Sequence, residues 1–191
     1  MHNINKFPII IVSSPRTGST ILAEYLAKRY NLKLFSEPDA NKSITDEFYS
    51  YIQNKNKNFV LKFHARNFNF FQDLDIFANS YLISIQRKNL VEQIASHYTA
   101  LSRQIWIYNK ENKIINSSIP INFFEVMNNS EVIMSANKAL AELSLNFDAK
   151  LFYENLDLSE YSQKSDFVPT PKPDNYEYLL AKIKKYLKYN S

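Results

Sequence analysis

Apolar positions along the chain alternate between unbroken runs and stripes at helical spacing, and each change of pattern marks a change of element. Phe7 to Ser13 is an unbroken run of the kind buried on both faces of a parallel sheet, and Ile21, Leu22, Tyr25 and Leu26 then recur at helical spacing. The chain therefore opens as strand, loop, helix. Leu32 to Phe35 predicts a short strand, Ile44, Phe48, Tyr51 and Ile52 a helical stripe, and Phe59 to Phe63 another strand. Tyr81 to Gln86 follows, and Leu90, Val91, Ile94, Tyr98, Leu101 and Ile105 form a long amphipathic stripe with Asn89 as its cap. A polar stretch from Asn109 to Ser118 breaks the pattern. Helix is expected again from Ile121 to Leu145, interrupted near Asn128-Asn129, before a last strand from Lys150 to Tyr153. Pro169 to Pro173 reads as loop and Tyr176 to Tyr189 as a closing helix. Strands alternating with helices predict an α/β fold of three layers, α/β/α, around a central, mainly parallel sheet. No repeat or linker divides it, so residues 1–191 are expected to form a single domain.

Composition narrows the class. The 45% hydrophobic content of these 191 residues is enough for one core. Cysteine is absent, which excludes disulfides and thiolate metal sites and leaves packing to hold the fold. The net charge of +4 is mild, and Lys182, Lys184, Lys185 and Lys188 recur around an amphipathic helix, so they read as a solvated face and no nucleic-acid partner is expected. No apolar stretch approaches the length of a membrane span, and the run ending at Val12 is too short for a signal peptide. The expectation is a soluble, cytoplasmic protein. Oligomeric state leaves no trace in the sequence.

Chemistry concentrates where the first strand turns into the first helix. Gly18 is the sole glycine, and it lies in Ser13-Ser14-Pro15-Arg16-Thr17-Gly18-Ser19-Thr20. A chain that otherwise avoids glycine keeps one where positive φ or close approach to a phosphate is needed. Against the nucleoside-triphosphate loop, Thr20 takes the Ser/Thr place but Ser19 replaces the lysine, and the cation has moved upstream to Arg16. Ligands of open parallel sheets bind beyond the carboxyl ends of the strands. Glu37 follows the second strand, Lys62 and His64 end the third, and Arg87 follows the fourth with Ser96 on the next helix. Such a rim would surround an anion with Arg16, Lys62 and Arg87 and offer Glu37 and His64 as bases.

These motifs resemble those of sulfotransferases that use 3′-phosphoadenosine 5′-phosphosulfate (PAPS). Pro15-Arg16-Thr17-Gly18-Ser19-Thr20 is similar to the 5′-phosphosulfate loop in its arginine version, found in bacterial and tyrosylprotein members. Arg87 to Ser96, with Gln93 between them, resembles the 3′-phosphate element, a strand-end Arg followed by a helical Ser. Phe152-Tyr153-Glu154-Asn155-Leu156 resembles the segment whose Tyr lies near the adenine in cytosolic members. Leu61-Lys62-Phe63-His64 looks like the Lys-x-His in which the histidine is the base, whereas Phe35-Ser36-Glu37-Pro38 looks like the glutamate that serves as base in tyrosylprotein and bacterial carbohydrate members. Glu37 ranks slightly ahead, with a pKa raised by like charge and desolvation beside a polyanion. The glycine-rich C-terminal signature of cytosolic members is missing, and Lys172 in Pro169-Thr170-Pro171-Lys172-Pro173 is placed near the 3′-phosphate instead.

What the resemblance implies is a P-loop-type fold that moves the sulfuryl group of PAPS, without a metal, to a hydroxyl or amine of a small-molecule or glycan acceptor and releases 3′-phosphoadenosine 5′-phosphate (PAP). Arg16, Lys62 and the amides of Gly18, Ser19 and Thr20 would stabilise the leaving phosphate, with Thr20 bonded to it, and Arg87 and Ser96 would hold the 3′-phosphate. Trp106, Tyr108 and the stretch from Asn109 to Ser118 are candidates for an acceptor wall or lid. Two other classes stay open: a P-loop nucleotide kinase, weakened by Ser19, and a non-catalytic nucleotide- or anion-binding protein on the same sheet.

Overall fold

The computed structural model describes residues 4–40, 42–54, 58–106, 108–109, 117–157, 160–161, 167–168 and 171–189. In chain order these form β1 (Ile9–Ser13), α1 (Ser19–Tyr30), β2 (Lys33–Ser36), α2 (Lys42–Gln53), β3 (Phe59–His64), β4 (Tyr81–Gln86) and α3 (Leu90–Arg103). There follow β5 (Tyr108–Asn109), α4 (Phe123–Glu142), β6 (Ala149–Phe152), β7 (Phe167–Val168) and α5 (Tyr176–Tyr189). The central sheet has the order β2-β3-β1-β4-β6, and every pairing in it is parallel.

Strand periodicity separates the core into layers. Ile9 and Ile11 of β1 join Val60, Ile83 and Ile85 against Ile21, Leu22, Tyr25 and Leu26 of α1. Ile10 and Val12 point the other way, joining Leu61, Phe63 and Leu82 against Phe48 of α2 and Leu140 of α4. Both faces of the sheet are thus covered, as an all-parallel sheet requires, and the fold is α/β with three layers. Ile94 and Tyr98 of α3, Val126 and Ile133 of α4, and Leu179 and Ile183 of α5 make a further apolar cluster that fixes α3. Each such fully buried side chain contributes roughly 1.5–3 kcal/mol relative to exposure.

Several boundaries differ from the sequence pattern, for identifiable reasons. β1 begins at Ile9 because Pro8 has no N–H for the ladder. α4 runs unbroken through Asn128-Asn129. Asn129 Nδ2 donates to the Glu125 carbonyl at 2.7 Å and Ser130 Oγ to the Val126 carbonyl at 2.8 Å, so side chains that favour a break are satisfied within the helix. α3 stops at Arg103, where Gln104 turns left-handed at φ 54, leaving Ile105 outside. β5 and β7 pair antiparallel as a small second sheet that the pattern did not foreshadow. Residues 110–116 of the polar stretch and 169–170 of the proline-rich loop lie outside the described residues.

Topology locates the crevice. From β1 the chain crosses to β2 at one edge, whereas from β4 it goes to β6 at the other. The connections leaving β1 and β4 therefore diverge, and the gap between their carboxyl ends is the switch point at which such sheets bind ligands.

Candidate functional site

The loop after β1 is shaped by two left-handed residues. Gly18 has φ 72 and ψ 10 at the N-cap of α1, and Arg16 has φ 61. Gly18 brings no side chain to cap the first-turn amides of α1, which point toward the crevice with the positive end of the helix dipole. Thr17 is fully buried and its hydroxyl donates to the Ser14 carbonyl at 3.0 Å, closing the turn. Thr20 is half-buried on the first turn. Pro15 is buried, and its carbonyl accepts from Gln93 Nε2 at 2.7 Å, while the same nitrogen donates to Ser14 Oγ at 3.0 Å. The loop after β1 is thus held by a buried amide from α3. Arg16 Nε donates to Ser96 Oγ at 3.1 Å, and its Nη1 donates to the Trp106 carbonyl at 2.6 Å.

Glu37, Lys62 and His64 form a second group. β2 pairs with β3 so that Ser36 opposes Lys62, and the Glu37 N–H donates to the Lys62 carbonyl at 2.7 Å. Glu37 has φ 50, which turns its side chain back over the end of β3. Lys62 Nζ donates to Glu37 Oε1, and His64 Nε2 lies 3.1 Å from the same oxygen. On its other side His64 Nδ1 lies 3.5 Å from Ser13 Oγ, which donates to Ser19 Oγ at 3.0 Å. A polar chain thus connects the first residue of α1 to Glu37. Burial lowers the Lys62 ammonium against the pull of Glu37, and burial with the charge of Lys62 lowers His64 below its ordinary value. His64 is therefore neutral near pH 7, with Nε2 donating to Glu37.

The Glu37 pKa is set by opposing influences. Burial does act to raise it, but the hydrogen bond from His64 and the charge of Lys62 outweigh that and hold the carboxyl well below the usual carboxylate range. Glu37 is thus a carboxylate paired with Lys62 and hydrogen-bonded by His64.

Arg87, Ser96 and Lys172, expected around a 3′-phosphate, and Tyr153, expected near an adenine, line a single cavity of about 130 Å³ together with Thr99 and Tyr176 among others. The Arg87 guanidinium stacks over the Tyr153 ring at 4.4 Å. Its Nε is buried without a hydrogen-bond partner, with Glu154 Oε1 at 3.8 Å. The Lys172 ammonium lies 4.6 Å over the Tyr176 ring. Arg16 touches this cavity through Ser96, so the loop after β1 and the cavity flank the same crevice. Trp106 is 47% exposed beside it and packs edge-on to His97 at 5.3 Å.

Sequence reasoning missed Glu92, Thr99 and Tyr176, which read as ordinary helix-surface or core positions, and it quoted Gln93 and Glu154 without giving them a role. Only the fold brings them to the crevice. Among the described residues, no three His, Asp or Glu side chains gather around a common point suited to a metal ion, and no helix is long and apolar enough to cross a membrane. Compared with known proteins, the sequence matches no protein-family model and no curated protein.

Proposed function

We propose that this chain is a PAPS-dependent sulfotransferase acting on a small-molecule or glycan acceptor. The observation that carries this reading is the pairing of two anion-suited places on one crevice, the loop Pro15 to Thr20 and the cavity of Arg87, Ser96 and Lys172, bridged by the Arg16–Ser96 hydrogen bond. A nucleotide with phosphates on both its 5′ and 3′ oxygens asks for two such places, whereas ATP asks for one extended cradle. The donor set fits: a guanidinium, an ammonium and hydroxyls suit a phosphate monoester, and the first-turn amides of α1 suit a second.

When bound, PAPS supplies an activated sulfuryl group. Arg16 and the amides of Gly18, Ser19 and Thr20 stabilise negative charge developing on the leaving phosphate, each well-placed donor contributing roughly 3–4 kcal/mol. Glu37 is the residue that takes the acceptor's proton, and His64 and Lys62 orient it. An anion that draws Lys62 toward itself relieves Glu37 of the charge that holds its pKa down, so donor binding and base activation are coupled.

The direct test is calorimetry with PAP, AMP and Mg-ATP. PAP should bind at least about tenfold more tightly than AMP, as expected when a second phosphate finds charged partners. PAP binding no better than AMP would overturn the reading, and tight Mg-dependent ATP binding would favour the kinase. The non-catalytic reading draws support from Glu37 being paired with Lys62 and hydrogen-bonded by His64. It predicts PAP binding without turnover of PAPS in the presence of any acceptor.

A further inference from the structure

The cavity between β4, α3 and α5 already holds an anion of the protein's own. Glu92 lies in the first turn of α3, where Asn89 is the N-cap and its side chain accepts from the Glu92 N–H at 3.1 Å. In a capping box the Glu92 carboxylate would reach back to the Asn89 N–H. That N–H is taken, because Glu154 from beyond β6 accepts from Asn89 N and Lys88 N at 3.0 Å each. Those two backbone donors lower the Glu154 pKa although burial opposes them, so an ionised carboxylate caps the helix from outside.

Freed from capping, Glu92 faces the cavity. Tyr176 Oη donates to its Oε2, Arg87 Nη2 lies 3.6 Å from the same oxygen, and Lys172 Nζ lies 3.5 Å from Oε1. Burial and the neighbouring Glu92 push the Tyr176 phenol above its ordinary range, so it stays protonated and donating. The ion-pair distances exceed hydrogen-bond length, and the two cations bracket the carboxylate without being saturated by it. With Glu154 also beside Arg87, two cations face two carboxylates and the charge of the cavity cancels.

We propose that Glu92 is a built-in counter-anion, which sits at the cationic centre of the cavity and sets how strongly that centre takes a phosphate monoester. The inference rests on the reading of the cavity as the place of a nucleotide's 3′-phosphate. Glu92 sets the affinity of the site: it holds Arg87 and Lys172 in place, and an entering phosphate monoester must compete with its charge for both cations.

Calorimetry with PAP and AMP on the full chain and on Glu92→Gln tests this, since the amide keeps the acceptor for Tyr176 but removes the charge. PAP should bind at least about tenfold more tightly to the variant, while AMP, which lacks the 3′-phosphate, changes less than about twofold. Tyr176→Phe, which unpins the carboxylate at little steric cost, should shift PAP in the same direction. An unchanged or lowered preference for PAP over AMP in both variants would overturn the role of Glu92 while leaving the nucleotide reading intact. PAP binding by neither native protein nor variants would overturn both. Binding by the variants alone would support the counter-anion and overturn the nucleotide reading of the native protein.

Discussion

Glu37 combines a left-handed backbone with a carboxylate shared by a buried lysine and a neutral histidine. For a non-glycine residue that backbone costs about 1–2 kcal/mol, a strain of the kind that collects at functional sites. Replacing Glu37 by Ala would strand the Lys62 ammonium, whose side chain is 2% exposed, so Glu37→Gln is the cleaner variant. Glu37→Gln should lower PAPS turnover by at least about a hundredfold without weakening PAP binding, since Lys62 then has no carboxylate charge to leave, measured by single-turnover kinetics and calorimetry. Histidine pKa shifts also make a prediction about acid. Burial lowers His64 and His97 below their ordinary 6.5, so the unfolded chain binds more protons in the window below that value. Stability conferred by the neutral rings is then full above 6.5 and is lost as pH falls below it, while the depressed Glu37 adds a further loss below its ordinary 4.5. Melting temperature should therefore fall with pH below 6.5, and His64→Gln combined with His97→Gln should flatten the first part of that fall. Residue types and their order after each strand were legible in the sequence. The pairing of Lys62 with Glu37 was not, because it depends on the β2–β3 register.

At the level of the element, a chain with one glycine must use other residues where the backbone turns left-handed, and Asn31 and Gln104 do so at the ends of α1 and α3. Gly18 stands where the turn meets the crevice. Gly18→Ala should cost about 1 kcal/mol in urea unfolding, since the added Cβ must sit at φ 72. Asn89→Ala should cost about 1 kcal/mol by loss of the bond to the Glu92 N–H. The strands and α5 were readable because unbroken apolar runs and helical stripes are local signals. The continuity of α4 was not, because Asn129 is satisfied by its own helix and by His97 Nδ1 on α3. The pairing of β5 with β7 joins two-residue segments that carry no periodicity at all.

Across the whole molecule the site is assembled from parts far apart in sequence: the Arg16–Ser96 bond spans 80 positions and the Arg103 Nη1 bond to the Pro171 carbonyl spans 68. Arg16→Ala should weaken PAP binding at least about tenfold, because it removes a charged donor together with the bridge to Ser96. In thermal-shift measurements PAP should raise the melting temperature of the native chain more than AMP does, and Arg16→Ala should shrink the shift given by both. Convergence of Arg87, Ser96, Tyr153 and Lys172 on one cavity is a property of strand order, β4 beside β6 with α3 and α5 above, which sequence spacing alone does not encode. Gln93 has a consequence for dynamics. Its fully buried amide clasps the Ser14 hydroxyl and the Pro15 carbonyl and is itself clasped by Asn137 Nδ2 at 3.0 Å, tying the turn after β1 to two helices. Opening of α3 must then release that turn, so deuterium uptake at the start of α1 should keep pace with uptake along α3, and Gln93→Ala should uncouple the two.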